Sequence, residues 1–329
     1  MTANQPTQER PPGRWAELRR RVRQNRIAYA FIAPALVMML LIHIIPTAQG
    51  IFMSVLNLNQ STLRDYLGAP YVGGKHYGSI IGGFVSGGGG ANIRGLAQAT
   101  QNALWFTFWL NVGTLGLGLG LALLLNRPFR GRGLARTLIL LPWVVPTFVT
   151  GLIWRFIWLQ RGGLANHILV DWLGVVEKPI QWLLLENTRI ALLLPAIWRG
   201  VPFTALLLLA GLQVIPTDLY EAARVDGATA WQRFRYITLP FLKPTIAINV
   251  MFGVVFNLFG FGPFNIATSM FGSTNHGKYA EFVVPAIARQ TFSNQLYGYG
   301  AAASVLVLVL AMLFIALWYR IFRGSMNPA

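Results

Sequence analysis

The chain has 329 residues, 54% of them hydrophobic and only 11% charged, with 27 lysines and arginines against 10 acids. A soluble domain carries roughly 25% charged residues, so this composition excludes an ordinary water-soluble fold. The net charge of +17 then reads as basic flanks of membrane spans rather than a nucleic-acid footprint, and the absence of cysteine excludes a disulfide framework, a thiolate metal site and a thiol nucleophile.

Residues 1 to about 13 are rich in Pro, Gln and Thr and read as a polar tail without the apolar content a core needs. With the arginines that follow, they form a basic segment over residues 1–26. A bilayer core of roughly 30 Å takes about 20 apolar residues as helix. Six stretches qualify, at 27–56, 103–125, 134–158, 190–214, 241–263 and 301–322. They define an all-α polytopic membrane protein with six transmembrane helices over 27–323 and a short tail at 324–329. The first run is too long for a signal-peptide core and lacks a small-x-small cleavage site, so it reads as a retained helix. Pro34 and Pro46 interrupt it, and His43 inside it is expected to find an interhelical hydrogen bond.

The segment 57–101 contains GGFVSGGGGA. No Lys-Ser/Thr follows the glycines and no strand precedes them, so a phosphate loop is not indicated; a flexible external loop is expected. The loop at 160–189 carries Trp172 and Trp182, which suits partial burial at the membrane boundary. Lysines and arginines concentrate in the N-terminal segment, in the turn with Arg127, Arg130, Arg132 and Arg136, around Arg224, Arg233, Arg235 and Lys243, and at Arg320 and Arg323. The positive-inside rule makes these regions, and therefore both termini, cytoplasmic.

All ten acids fall outside the six stretches. Ion-coupled carriers place Asp, Glu or His at membrane depth, so their absence disfavours a secondary transporter, and it removes the paired carboxylates of an intramembrane hydrolase. No catalytic constellation and no metal-ligand spacing is present, and an enzyme is not indicated. One charge does lie deep: Arg199, in IWRGVPF, sits about nine residues into the fourth stretch, roughly 13 Å from its edge. Such an arginine faces protein or a water-filled path, or else snorkels outward or bonds the carbonyl freed by Pro202.

Between the fourth and fifth stretches lies YEAARVDGATAWQRFRYITLP, a polar insert of two short helices. Asp218 with Glu221 has capping-box spacing, as does Thr229 with Gln232. Asp226-Gly227 ends the first helix, and Pro240 is expected to close the unit before the fifth span. Trp231, Phe234 and Thr238 share a face that could pack under the bundle. The first helix is centred on two alanines beside one glutamate, a low surface that another backbone can approach closely, suited to a partner's groove.

Glu221-Ala222-Ala223, Asp226-Gly227-Ala228, Phe234, Ile237, Leu239-Pro240 and Pro244 resemble the EAA loop of binding-protein-dependent ABC importer permeases. The stretches AGLQVIPTDLYEAARVDGA, NRPFRGRGLARTLILLPWVVP and YGYGAAASVLVLVL are similar to the carbohydrate-uptake branch, the class of maltose and glycerol-3-phosphate permeases, over most of residues 25–325. The branch's Gly-Gly-Pro motif is absent from MFGSTNHGK.

The resemblance implies a type I ABC importer permease fold with a cytoplasmic coupling loop at about 215–240, in the cell inner membrane. Glu221, Ala222, Ala223, Asp226, Gly227, Ala228, Leu239 and Pro240 would couple to two cytoplasmic ATPase subunits, beside a second and different permease chain and an extracytoplasmic solute-binding protein. No Walker A motif occurs, so no cofactor is expected in this chain, and ATP and magnesium belong to the partner ATPases. The resemblance also places a sugar-like solute against Arg199, Gly200 and Phe203 on the fourth span and Gly253, Phe256, Asn257 and Gly260 on the fifth. The latter four share one helix face, where ordinary close packing through small residues is the competing explanation. An amino-acid, peptide or polyamine solute is the alternative, since those permeases share the loop with other flanks.

Overall fold

The computed structural model describes residues 23–86, 90–259, 262–272 and 276–326. It divides into two compact units, residues 1–53 and 54–329. The described part of the first unit is one helix, Arg26–Met53 (α1). It crosses Pro34 and widens into a π-turn at Leu40–Ile44, where the Ile45 N–H reaches back to the Leu40 carbonyl. The wider turn comes immediately before Pro46, whose ring would clash with the carbonyl four residues earlier in a regular helix. No residue of this helix is buried.

The second unit is built on Lys75–Ser86 (α2), Ala91–Asn126 (α3), Arg132–Leu138 (α4), Leu141–Val144 (α5) and Thr147–Ile157 (α6). These are followed by Asn187–Gln213 (α7), Thr217–Val225 (α8), Ala230–Leu258 (α9), Phe264–Phe271 (α10), Val283–Phe292 (α11) and Tyr297–Met326 (α12). Among the described residues five helices are long and apolar enough to span a bilayer: α1, α3, α7, α9 and α12. The third expected span is instead two arms, 132–144 and 147–157, bent by 89°, and makes a sixth if both count as one broken span. The cause is local. Pro146 donates no N–H, and Val145 before it is pushed out of the helical region, to φ −58° and ψ 126°.

The segment 57–101 is also more ordered than expected, since α2 and the first turns of α3 lie within it. Ser54 and Tyr77 share a hydroxyl hydrogen bond of 2.5 Å, and His76 Nε2 meets the Leu56 carbonyl at 3.1 Å. The glycines 87–89 lie outside the described residues. In the 160–189 loop the buried Asn166 accepts from the Ile180 N–H and Trp182 Nε1 and donates to the Gln160 and Ile180 carbonyls. Trp182 is partly buried against Trp158, as expected, whereas Trp172 is exposed.

α3 packs along α7, and α9 crosses both. Two apolar cores result. One gathers Leu96, Ala103 and Phe106 of α3, Leu192 of α7, and Ile266, Met270, Ala286 and Ala302 from α10, α11 and α12. The other gathers Ala122 and Leu125 of α3, Leu208 and Leu212 of α7 and Leu242 of α9. Large apolar side chains such as Phe108, Phe156, Leu313 and Ile321 stay exposed, far more than a water-soluble surface tolerates and what a lipid-facing surface requires.

Candidate solute cavity and coupling hairpin

Between the two cores, where α3, α7 and α9 cross, lies a cavity of about 420 Å³. Arg199, Gly200, Phe203, Gly253, Phe256 and Asn257 all line it; Gly260, placed with them by sequence, lies outside the described residues. Arg199 is its only charged side chain among the described lining residues. The Arg199 Nε is buried without a hydrogen-bond partner, so the carbonyls near Pro202 do not satisfy it. Asn257 Nδ2 donates to its own helix at the Gly253 carbonyl, 2.7 Å, leaving its oxygen for other partners.

The two glycines have a packing role. A Cβ on Gly253 would collide with the Asn111 amide, and one on Gly200 would meet Thr114 Cγ2 at 2.9 Å. At these two positions the structure therefore favours close helix packing over room for solute. Sequence reasoning missed Asn111 and Thr114 of α3, Thr204 of α7 and Asn249 of α9, which supply most of the polar lining. Each is an isolated polar residue in an apolar run, the same signal that marked Arg199. Asn249 Nδ2 donates to Thr204 Oγ1 at 3.3 Å, tying α9 to α7. The bend after Val144 brings Trp143 to the rim, stacked on Phe203 with centroids 6.1 Å apart and planes 20° apart. Phe256 is 63% exposed and Phe252 and Phe203 are about half exposed, so one side of the cavity is open.

The coupling insert is a helical hairpin. α8 ends as its sequence dictates: Gly227 adopts φ +76°, its N–H bonds the Arg224 carbonyl at 3.1 Å, and the Ala228 N–H bonds the Ala223 carbonyl at 2.8 Å. This pair is a Schellman cap. Thr229 and Gln232 form the expected reciprocal capping box, at 2.7 and 3.3 Å. The Asp218–Glu221 box does not form. Pro216 takes the N-cap position and the helix begins at Thr217, which leaves Asp218 in the first turn, where a carboxylate favours the helix dipole. Tyr220 and Thr238 join the two arms by a hydroxyl hydrogen bond of 2.9 Å.

Two further expectations are corrected. Pro240 does not close the unit: a π-turn at Phe234–Thr238, with the Leu239 N–H bonded to the Phe234 carbonyl, carries the helix through it, by the device used before Pro46. Leu239 and Pro240 accordingly lie on the α9 shaft rather than on the hairpin. Trp231 stacks loosely on Phe234 but is exposed rather than packed under the bundle. Glu221 is exposed, with Arg224 at 3.7 Å, an ion pair worth little at a surface. On the same helix Leu219, Ala222 and Val225, the last 88% exposed, are apolar side chains left open to a partner.

Residues 114–328 match the family described as binding-protein-dependent transport system inner membrane component. The chain is 32% identical over 312 residues to the trehalose/maltose transport system permease protein MalF of Thermococcus litoralis, covering 92% of this chain and 95% of that protein. It is 33% identical over 311 residues to the sulfoquinovosyl glycerol transport system permease protein SmoG of Agrobacterium fabrum, covering 94% and 93%. Among solved structures, a chain of a bacterial ABC transporter involved in the import of the acidic polysaccharide alginate superposes with a TM-score of 0.74 at 21% identity, over 94% of this chain and 100% of that one. The fold is that of a type I importer permease. With a family match over most of the chain and relatives spanning nearly all of it, this protein belongs to the binding-protein-dependent transport family, as a multi-pass inner-membrane permease component of an ABC importer and not an enzyme.

Proposed function

We propose that this chain forms half of the translocation path for a sugar or sugar-like solute, which passes through the cavity lined by Arg199, Phe203, Phe256 and Asn257. The observation that carries the reading is the chemistry of that lining. Aromatic faces at Phe203, Phe252, Phe256 and Trp143 suit the C–H faces of a sugar. Amides and hydroxyls at Asn111, Asn249, Asn257, Thr114 and Thr204 suit its hydroxyl groups. The lone arginine, with no acid among the described lining residues, donates to neutral or anionic oxygens and repels polyamines and cationic peptides. The relatives named for trehalose, maltose and sulfoquinovosyl glycerol point the same way. The open side fits a second permease chain that completes the path.

In this reading ATP and magnesium are held by two separate cytoplasmic subunits, which grip the hairpin at Glu221, Ala222, Ala223 and Asp226 to Ala228, and a solute-binding protein delivers cargo from the opposite face. Both termini then lie in the cytoplasm with the hairpin, as the basic flanks require. The test is reconstitution with its ATPase, second permease and binding protein, followed by a solute screen. Uptake of a sugar, lost in Asn257→Ala and Arg199→Gln while assembly persists, is expected. Uptake of an amino acid or polyamine instead, or normal sugar uptake by both variants, refutes the assignment.

A further inference from the structure

A second cavity, of about 440 Å³, lies between the basic ends of α9 and α12, apart from the solute path. Its walls are apolar: Ile246 and Val250 from α9, Trp318 and Phe322 from α12. Trp318 donates its Nε1–H to the Ala247 carbonyl at 3.0 Å and stacks on Phe322 with centroids 4.5 Å apart. The first contact ties α12 to α9 at the groove wall, and the second orders the two rings that line it on α12.

Its polar lining consists of two cations, Arg235 and Lys243. They stand eight residues apart on the α9 shaft, ~12 Å at helical rise. Neither belongs to an ion pair among the described residues, and neither helix contains a single Asp or Glu, while α12 adds Arg320 and Arg323 beyond the groove. The groove thus offers an apolar trough ending in unpaired positive charge, at the point where two membrane helices leave the apolar layer.

We propose that this groove holds an anionic phospholipid, its phosphodiester between Arg235 and Lys243 and an acyl chain along Ile246, Val250 and Trp318. A zwitterionic lipid brings its own cation and gains less from the arginine and lysine. A purely apolar helix from another subunit would leave both charges desolvated without a partner. An acidic head group with a hydrocarbon tail matches both halves of the groove, as basic pockets between membrane helices do elsewhere.

The test uses the assembled transporter, extracted with its partner subunits and equilibrated in micelles holding equal phosphatidylglycerol and phosphatidylcholine, with retained lipid counted by native mass spectrometry. Two cations, each favouring an anionic head group about fivefold, give an expected preference of ~25-fold. That preference should fall to near parity in Arg235→Gln/Lys243→Gln and persist in Arg320→Gln/Arg323→Gln, which removes equal charge beside the groove. Parity in the unmodified complex, or an undiminished preference in Arg235→Gln/Lys243→Gln, overturns the proposal. A photoreactive benzoylphenylalanine at Val250, with both cations intact, reads the occupant in native membranes. A phospholipid adduct supports the assignment, and a cross-link to a protein chain overturns it.

Discussion

Gly253→Ala separates two explanations for a glycine in the cavity wall. The added Cβ would clash with Asn111 Oδ1 and sit 2.9 Å from Asn111 Cγ and 3.0 Å from Asn111 Nδ2, at or below the closest approach real Cβ atoms show. Asn111 is itself buried and held by its Nδ2–H bond to the Thr107 carbonyl, 2.8 Å. Relief requires either breaking that bond, about 1 kcal/mol, or parting α9 from α3. Overpacking of this kind destabilises by about 1–3 kcal/mol. Thermal and denaturant unfolding of the purified permease should register the loss, with Gly253→Ala reducing uptake through stability. Asn111→Ala removes the obstructing amide, so Asn111→Ala/Gly253→Ala should be within about 0.5 kcal/mol of Asn111→Ala alone. If Gly253→Ala unfolds like the unmodified protein and only solute uptake falls, or if Asn111→Ala brings no rescue, the glycine serves the solute and the packing argument fails.

Gly227→Ala meets no atom within 4 Å, so its effect is backbone strain alone, about 1 kcal/mol; partial uptake with normal insertion is expected in vesicle assays. Gly227→Pro removes the N–H bonded to the Arg224 carbonyl and cannot adopt φ +76°, so uptake and stimulated ATP hydrolysis should both vanish; wild-type rates would contradict the hairpin's coupling role. Thr229→Ala deletes one half of the capping box and should cost about 1 kcal/mol, read as a lower midpoint for release of the ATPase in denaturant. Glu281 is 15% exposed and bridges Arg289, itself 37% exposed, at 2.6 Å; burial outweighs the arginine's pull and raises its pKa above 4.5. The folded state then holds the proton more tightly than the unfolded state. Its contribution is fully present below pH 4.5 and lost as pH rises through the folded pKa, so Glu281→Gln should flatten the fall in unfolding midpoint above pH 4.5, and an unchanged slope would refute this.

What the sequence made legible was local. The Thr229–Gln232 cap and the left-handed Gly227 depend on neighbours three residues away, and both form as written. The apolar runs located the spans because bilayer thickness fixes helix length whatever the packing. The errors came where several local signals competed. Pro216 took the N-cap ahead of Asp218; Pro146 in LPWVVP turned a single apolar run into a bent pair; and Pro240, usually a stop, was absorbed by a π-turn. Arg199 stood out because a charge in an apolar run is costly. Asn111, Thr114, Thr204 and Asn249 carry weaker versions of that signal, and their convergence depends on three helices crossing at one depth, which no single helix pattern encodes.

The absorbed proline has a mechanical consequence. Because α9 runs unbroken from Ala230 to Leu258, the second arm of the hairpin and the Asn249 to Asn257 wall of the cavity belong to one rod. Leu242, fully buried in the core near the hairpin, is the natural fulcrum. From it to Ala230 is ~18 Å and to Gly253 ~17 Å at helical rise, so the arms are nearly equal. A displacement of the hairpin by a motor subunit would reach the cavity wall at almost full amplitude and in the opposite sense. Had Pro240 ended the helix, that motion would have been lost in a loop. Two of the bonds that hold the rod to its neighbours, Tyr220 to Thr238 at the hairpin and Asn249 to Thr204 beside the cavity, lie on opposite sides of the fulcrum; a third, from Trp318 Nε1 to the Ala247 carbonyl, ties it to α12. The first binds the rod to α8, and the second would have to break or slide for the wall to move. At 3.3 Å it is longer than the 2.9 Å bond at the hairpin, and so the easier of the two to give way.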